Sequence, residues 1–221
     1  MRPPPAFRIE ALSRAGALEV FAQPIEEGLR SPFDEENALA ATLHKRGPHF
    51  LAGRLAAQGA LSALGGAPAP IPRGAEGEPC WPAGLVGSIS HTHGLAVAVV
   101  GPSEAVAAVG IDVEHRARTL DERTRSLVCH PDEHAWLDAP PPLPAQALML
   151  LVSAKEVVFK AYFPVTGVRL QYRDAVLAPE GEGIRANVVR ELELPPPVEP
   201  TLPIRWVEAG EHLVLLGTAW R

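Results

Sequence analysis

The apolar run Val106–Val113 and the Glu114 that follows it, with the motif Gly110-Ile111-Asp112-Val113-Glu114, constrain this chain more than any other stretch. Its apolar, β-branched content reads as a strand. Strand side chains alternate faces, so Asp112 and Glu114 share one face while Val113 turns to the other, into a core. Further on, Ser153-Ala154-Lys155-Glu156-Val157-Val158-Phe159-Lys160 reads as a helix and adds a third carboxylate and two lysines. Three carboxylates with amines beside them suit the holding of a hard cation against phosphate oxygens. Each piece alone has a plainer reading. An Asp-x-Glu at a strand end is ordinarily a solvated terminus, and Glu156 and Lys160 have the order and spacing of a surface ion pair.

The two segments occur together, in this order, downstream of Trp81-Pro82 and Gly87-Ser88-Ile89-Ser90-His91, and of a spaced run, Arg46-x-x-x-Phe50-x-x-x-Arg54. Gly-Ile-Asp-Val-Glu followed by Ser-Ala-Lys-Glu-x-x-x-Lys-Ala resembles the signature pair of the 4′-phosphopantetheinyl transferases. The upstream motifs resemble the larger, surfactin- and enterobactin-synthetase-activating type. The resemblance spans residues 45–164, over half the chain, and its specificity lies in the combination.

The resemblance implies an α+β fold of two pseudo-symmetric halves with the active site between them. The corresponding division is 1–105, an N-terminal half contacting coenzyme A phosphates, and 106–221, a C-terminal half with the metal and catalytic residues. It also implies a monomer, since one chain supplies both halves. The implied activity moves the 4′-phosphopantetheine arm of coenzyme A to a serine of an apo carrier protein (acyl, peptidyl or aryl). It releases 3′,5′-ADP and depends on Mg²⁺. Asp112, Glu114 and Glu156 match the metal-binding acids. Glu156 also matches the base, and the sequence does not apportion its two roles. Lys160 matches the group that stabilises phosphate and assists the departing ADP. His91 matches a contact to the 3′-phosphate of coenzyme A, and Ser90, Arg46, Arg54, Arg73 and Lys155 match further coenzyme contacts. A histidine after a strand is ordinarily a structural hydrogen-bonder, and arginines eight apart are ordinarily solvated; Gly47-Pro48 leaves helix continuity between Arg46 and Arg54 open.

The 221 residues suffice for one large domain or two small ones. A net charge of −6 gives no general basic footprint for nucleic acid, so a polyanionic coenzyme needs a local basic pocket. Two cysteines, Cys80 and Cys129, fit neither a zinc motif nor a disulfide framework and point to thiols in a reducing cytoplasm. The Met-Arg-Pro-Pro-Pro start lacks the apolar region of a secretory signal, and no run is long enough to span a membrane. His130-x-x-x-His134 is interrupted by Pro131 and reads as no metal site.

The spacing predicts a strand near Ala17–Phe21, a helix from Pro32 to Leu43 with Ser31 as N-cap, and a helix from Pro48 to Leu64 stopped by Gly65-Gly66. A proline-rich loop to Pro82 follows. Strands are expected at 85–90, 95–100 and 106–113, with His91 to Gly94 as a turn. Helical material covers 119–138 and 145–162, with Pro144 near the start of the latter and Pro164 beyond its end. Strands near 173–177, 184–193, 204–208 and 212–219 complete the chain. Proline clusters at 66–82, 139–144 and 195–203 mark connectors.

Two other functions share some of these residues. A Mg²⁺-dependent nucleotide or phosphoester hydrolase would use the same carboxylates, though the phosphate-cradling Gly-x-x-x-x-Gly-Lys loop of one such class is missing. A non-catalytic carrier-binding module would need none of Asp112, Glu114, Glu156 and Lys160.

Overall fold

A computed structural model describes residues 5–138 and 146–221. The expectations for the first residues, for the 139–144 proline cluster and for Pro144 as a helix start lie outside the described residues. The chain divides into two units, Met1–Val106 and Ala107–Arg221.

In the first unit, β1 (Phe7–Arg8), β2 (Glu19–Pro24), β3 (Leu85–Thr92) and β4 (Leu95–Pro102) form an antiparallel sheet in the order β1-β2-β4-β3. Pairing of β3 with β4 continues through His91↔Ala96 and Thr92↔Leu95. His91 therefore belongs to the strand rather than to a turn. Only His93 and Gly94 make the reversal, and Gly94 takes the positive φ it needs.

Helix α1 is Asp34–Thr42 and α2 is Gly47–Ala63. Ser31 does not cap α1, whose N-cap is Phe33. Its hydroxyl instead donates to the Glu36 carboxylate and accepts the Phe33 N–H at 3.2 Å. Gly47-Pro48 opens α2 instead of interrupting it. Arg46 is the N-cap with helical dihedrals, and a proline in the first helical turn removes an N–H that has no intrahelical acceptor. The fully buried Ala56, Ala57 and Ala60 of α2 pack with Ala98 and Val100 of β4. A Cβ on Gly53 would stand 2.8 Å from the Ile89 side chain, so a small residue there lets α2 close on β3.

In the second unit, β5 (Val106–His115, entered from the last residue of the first unit), β6 (Ala175–Glu180), β7 (Gly183–Val188), β8 (Thr201–Ala209) and β9 (His212–Trp220) form a sheet in the order β5-β9-β8-β7-β6. β7 ends at Val188, short of the expected 193, because from Val189 the chain's N–H groups bond to the Asp174 carbonyl and not to a strand. The expected helical material at 119–138 forms α3 (Glu122–Val128), capped by Asp121, and α4 (His134–Leu137). Helix α5 (Ala147–Thr166) lies across the sheet and buries Leu151, Ala154, Val157, Val158 and Ala161. A Cβ on Gly110 of β5 would collide with the Val157 carbonyl, and one on Gly217 of β9 would come within 2.7 Å of the Val157 side chain. Two glycines therefore let the helix backbone settle on the sheet. α5 extends past the expected end, with Pro164 in its last turn. It stops at Gly167, whose left-handed backbone lets its N–H reach the Phe163 carbonyl at 2.8 Å. Each unit thus sets helices on a sheet, an α+β arrangement.

Candidate active site

Residues spaced by four along α2 share a face, so Arg46, Phe50 and Arg54 project together. With His49, Arg73 and His91 they line a cavity of about 180 Å³. Arg54 is 5 % exposed. Its Nε donates to the Ile71 carbonyl at 2.8 Å, and its guanidinium carbon lies 4.3 Å from the centre of the Phe50 ring. Burial lowers its pKa to about 10, against the pull of Glu36. The imidazoles of His49 and His91 meet edge-on with centroids 5.2 Å apart, and His49 Nδ1 is buried without a hydrogen-bond partner among the described residues. Three guanidinium groups and two imidazoles around one cavity are a donor set for phosphate.

The proline-rich loop is held by side chains that no motif marks. Glu36, 2 % exposed, accepts the Ile71 N–H at 2.8 Å, while Arg54 takes the carbonyl of the same residue. Gln58 donates to the Ala69 carbonyl at 2.6 Å. Two residues after Ile71 the loop delivers Arg73 to the cavity. Ser90 is not among the residues lining it. It is buried, and strand alternation turns its side chain to the face opposite Ile89 and His91.

In the second unit, close packing of α5 on Gly110 brings the two signature segments together. Asp112, 4 % exposed, accepts the Ser153 hydroxyl on Oδ2 at 2.6 Å and the Lys160 ammonium on Oδ1 at 2.7 Å. Glu114, on the same strand face, is paired with Arg118. Glu156 accepts the Tyr172 hydroxyl on Oε1 at 2.7 Å. Burial, then the hydrogen bond and charge of Glu156, push the Tyr172 phenol up to about 12; Asp112 adds to this and Arg118 opposes it. Tyr172 and Arg118 carry no local pattern that sequence reasoning could have found.

Lys155 does not fit the phosphate contact implied for it. Its side chain is 2 % exposed, and its three N–H groups go to the Val128 carbonyl at 2.9 Å, Glu133 Oε2 at 2.8 Å and the Tyr172 carbonyl at 2.8 Å. Burial lowers its pKa, and the hydrogen bond it donates to Glu133 opposes that. Glu133 is itself fully buried and accepts the Leu177 N–H at 2.8 Å. Lys155 ties α5 to its surroundings and has no donor left for a ligand.

Among the described residues, no three His, Cys, Asp or Glu side chains are gathered into a metal cluster. Asp112 and Glu114 nevertheless offer hard oxygens on one strand face, each balanced by a movable cation, Lys160 or Arg118. Mg²⁺ asks for only one or two protein carboxylates and completes its shell with water and substrate phosphate. The donor chemistry fits.

Residues 34–101 match the family model of the 4′-phosphopantetheinyl transferase N-terminal domain, and residues 108–193 match that of the 4′-phosphopantetheinyl transferase superfamily. The chain is 39 % identical over 173 residues to the 4′-phosphopantetheinyl transferase PptT of Mycobacterium tuberculosis, covering 77 % of this chain and 73 % of that protein. The chain belongs to the 4′-phosphopantetheinyl transferase superfamily. It is similar also to the 4′-phosphopantetheinyl transferase Svp of Streptomyces mobaraensis, 36 % identical over 85 % of this chain and 78 % of that protein. Enterobactin synthase component D of Salmonella typhimurium is 41 % identical over 53 % of this chain and 49 % of its own length. As a member of this superfamily the chain is a transferase. The first matched segment contains Arg46, Arg54, Arg73 and His91; the second contains Asp112, Glu114, Glu156 and Lys160. Among the described residues no helix is long and apolar enough to cross a membrane.

Proposed function

We propose that this transferase moves the 4′-phosphopantetheine arm of coenzyme A onto the serine of an apo acyl, peptidyl or aryl carrier protein and releases 3′,5′-ADP. The observation that carries the reading is the cavity where Arg46, Arg54, Arg73, His49 and His91 converge, a receptor for a ligand dense in phosphate. Among the phosphates of coenzyme A, the 3′-phosphate is assigned to His91. The unpartnered His49 Nδ1 is a further group that an anion's approach would satisfy.

The second unit supplies the chemistry. The carrier serine oxygen bonds to the β-phosphorus, the bond from that phosphorus to the bridging oxygen breaks, and 3′,5′-ADP departs with the bonding pair. Glu156 takes the serine proton. Its carboxylate is half-exposed, and Oε2 has no hydrogen-bond partner among the described residues. Lys160 places positive charge beside the phosphates when it leaves Asp112 for them. With Glu156 given to the serine proton, Asp112 and Glu114 would hold Mg²⁺, which when bound neutralises the pyrophosphate charge that rises in the transition state. Positioning and charge are what phosphoryl transfer demands of a protein. Cys80 and Cys129 are both free thiols, in keeping with a reducing cytoplasm, and because one chain carries both residue sets we take the working unit to be a monomer.

Incubation of apo carrier proteins with the enzyme, coenzyme A and Mg²⁺, followed by intact-mass measurement, tests this. The expected result is a carrier heavier by one phosphopantetheine arm and an equal amount of 3′,5′-ADP. Phosphate release without a carrier mass gain would make the protein a hydrolase. Carrier binding with neither product would make it a binding module.

A further inference from the structure

Tyr172 is held at both of its ends by neighbouring residues of one helix. Its backbone carbonyl accepts from Lys155 Nζ at 2.8 Å, and its hydroxyl donates to Glu156 Oε1 at 2.7 Å. Lys155 is itself immobile, because its other donors go to the Val128 carbonyl and the buried Glu133. The chain around Tyr172 is fixed as well. Gln171 N–H donates to Asp174 Oδ2 at 2.8 Å, Arg190 reaches the same oxygen at 3.1 Å, and Arg173 donates to the Ser126 carbonyl. The phenol therefore projects from a rigid turn toward a carboxylate on a flexible stem.

A glutamate with three side-chain torsions on a half-exposed helix face samples several rotamers, and each unproductive one costs rate. A single donor at a fixed point removes that freedom. Oε1 is the oxygen engaged, and Oε2 has no hydrogen-bond partner among the described residues. The phenol O–H is the donor and the carboxylate oxygen the acceptor in this contact. Tyr172, Glu156 and Phe159 also line one cavity of about 200 Å³, open beside the carboxylate.

We infer that Tyr172 is a positioning residue for the transfer reaction: anchored by Lys155, it fixes the Glu156 carboxylate through Oε1 and leaves Oε2 to accept the carrier serine's proton. The inference rests on the proposed transfer activity with Glu156 as base. It gives Lys155 and Glu156, adjacent in sequence, a joint task, with the buried lysine setting the backbone that carries the donor and the glutamate receiving it.

The test is a double-mutant cycle with Tyr172→Phe and Glu156→Gln, reading turnover by carrier intact mass and coenzyme A affinity by calorimetry. Phenylalanine keeps the ring and the Lys155 bond to the backbone and removes only the hydroxyl. In the wild-type background Tyr172→Phe should lower kcat about tenfold, the loss of one hydrogen bond to a charged group, with coenzyme A affinity within about twofold. With Glu156→Gln already in place, the same change should alter kcat by less than about twofold, because the group it positions is gone. Equal losses in both backgrounds would show that Tyr172 acts independently of Glu156. Unchanged kcat for Tyr172→Phe would also overturn the role, while leaving the transfer reading intact. A wild-type enzyme that fails to modify any carrier overturns the transfer reading itself, and this role with it.

Discussion

The carbonyl of Val157 stands directly over Gly110, where a Cβ would collide with it. This close approach lets α5 settle against β5 and so helps set the spacing between Asp112 on the strand and Ser153 and Lys160 on the helix. Gly110→Ala should force the helix outward. Overpacking of this kind costs about 1–3 kcal/mol, or about 2–4 °C of melting temperature per kcal/mol in a chain of this size. Turnover should fall further than stability does, since both partners of Asp112 move with the helix. Thermal melting and carrier modification measured on the same preparation check this; a normal turnover in a destabilised variant would separate the packing from the chemistry.

His91→Ala should discriminate between coenzyme A and its dephospho form. Only the former carries the 3′-phosphate, so affinity for coenzyme A should drop about tenfold or more, the scale of a charge-assisted contact, while affinity for dephospho-coenzyme A stays near the wild-type value. Calorimetric titration with both ligands decides it. Equal losses would mean that the histidine contacts another part of the coenzyme or serves the sheet.

Lys155→Met should damage the fold and spare the coenzyme. It leaves Glu133 as a fully buried carboxylate without its ammonium partner, a loss of about 3–5 kcal/mol. The double variant with Glu133→Gln should recover part of that stability. Denaturant melts follow the first effect. Coenzyme A affinity of the folded fraction should remain within about twofold of wild type.

The chain has two tyrosines, Tyr162 and Tyr172, and both phenols titrate high. Burial pushes Tyr162 up, with the charge of Glu199 adding, and its hydroxyl donates to the Glu199 carbonyl at 2.6 Å. Tyr172 rises from 10.0 to about 12. Between these values the folded chain keeps a proton that the unfolded chain has lost, so stability is fully present below pH 10 and declines as pH rises toward 12. Phenolate absorbance of the native protein at pH 10 should be close to nil, whereas the denatured chain should show about half of its tyrosines ionised. A native protein with one tyrosine half-ionised at pH 10 would contradict the Tyr172–Glu156 bond.

The sequence made the chemistry-bearing residues legible because their spacing matches a backbone period. Two carboxylates at i and i+2 of a strand, and a glutamate and lysine one helical turn apart, are placed by local geometry alone. Local geometry cannot name a side chain's distant neighbour. Lys155 looks like a phosphate contact beside Glu156, yet a rotation of one residue around α5 directs it into the interior toward Glu133. His91 reads as a turn residue because His-Thr-His-Gly is polar, and only the register against β4 keeps it in the strand. Ser31 precedes Pro32 like a cap but is drawn to Glu36. Pro164 signals an end that Gly167 makes three residues later. Glu36, Glu133, Arg118 and Tyr172 gave no signal, since each acts on groups brought near by folding.

Glu36 and Arg54 hold the N–H and the carbonyl of Ile71, and Gln58 holds Ala69 just before it. The segment that presents Arg73 is therefore ordered when the protein folds, before any nucleotide arrives. The entropy of fixing that arginine's backbone belongs to folding and is not charged against affinity. Coenzyme affinity should thus respond to residues that need never touch it.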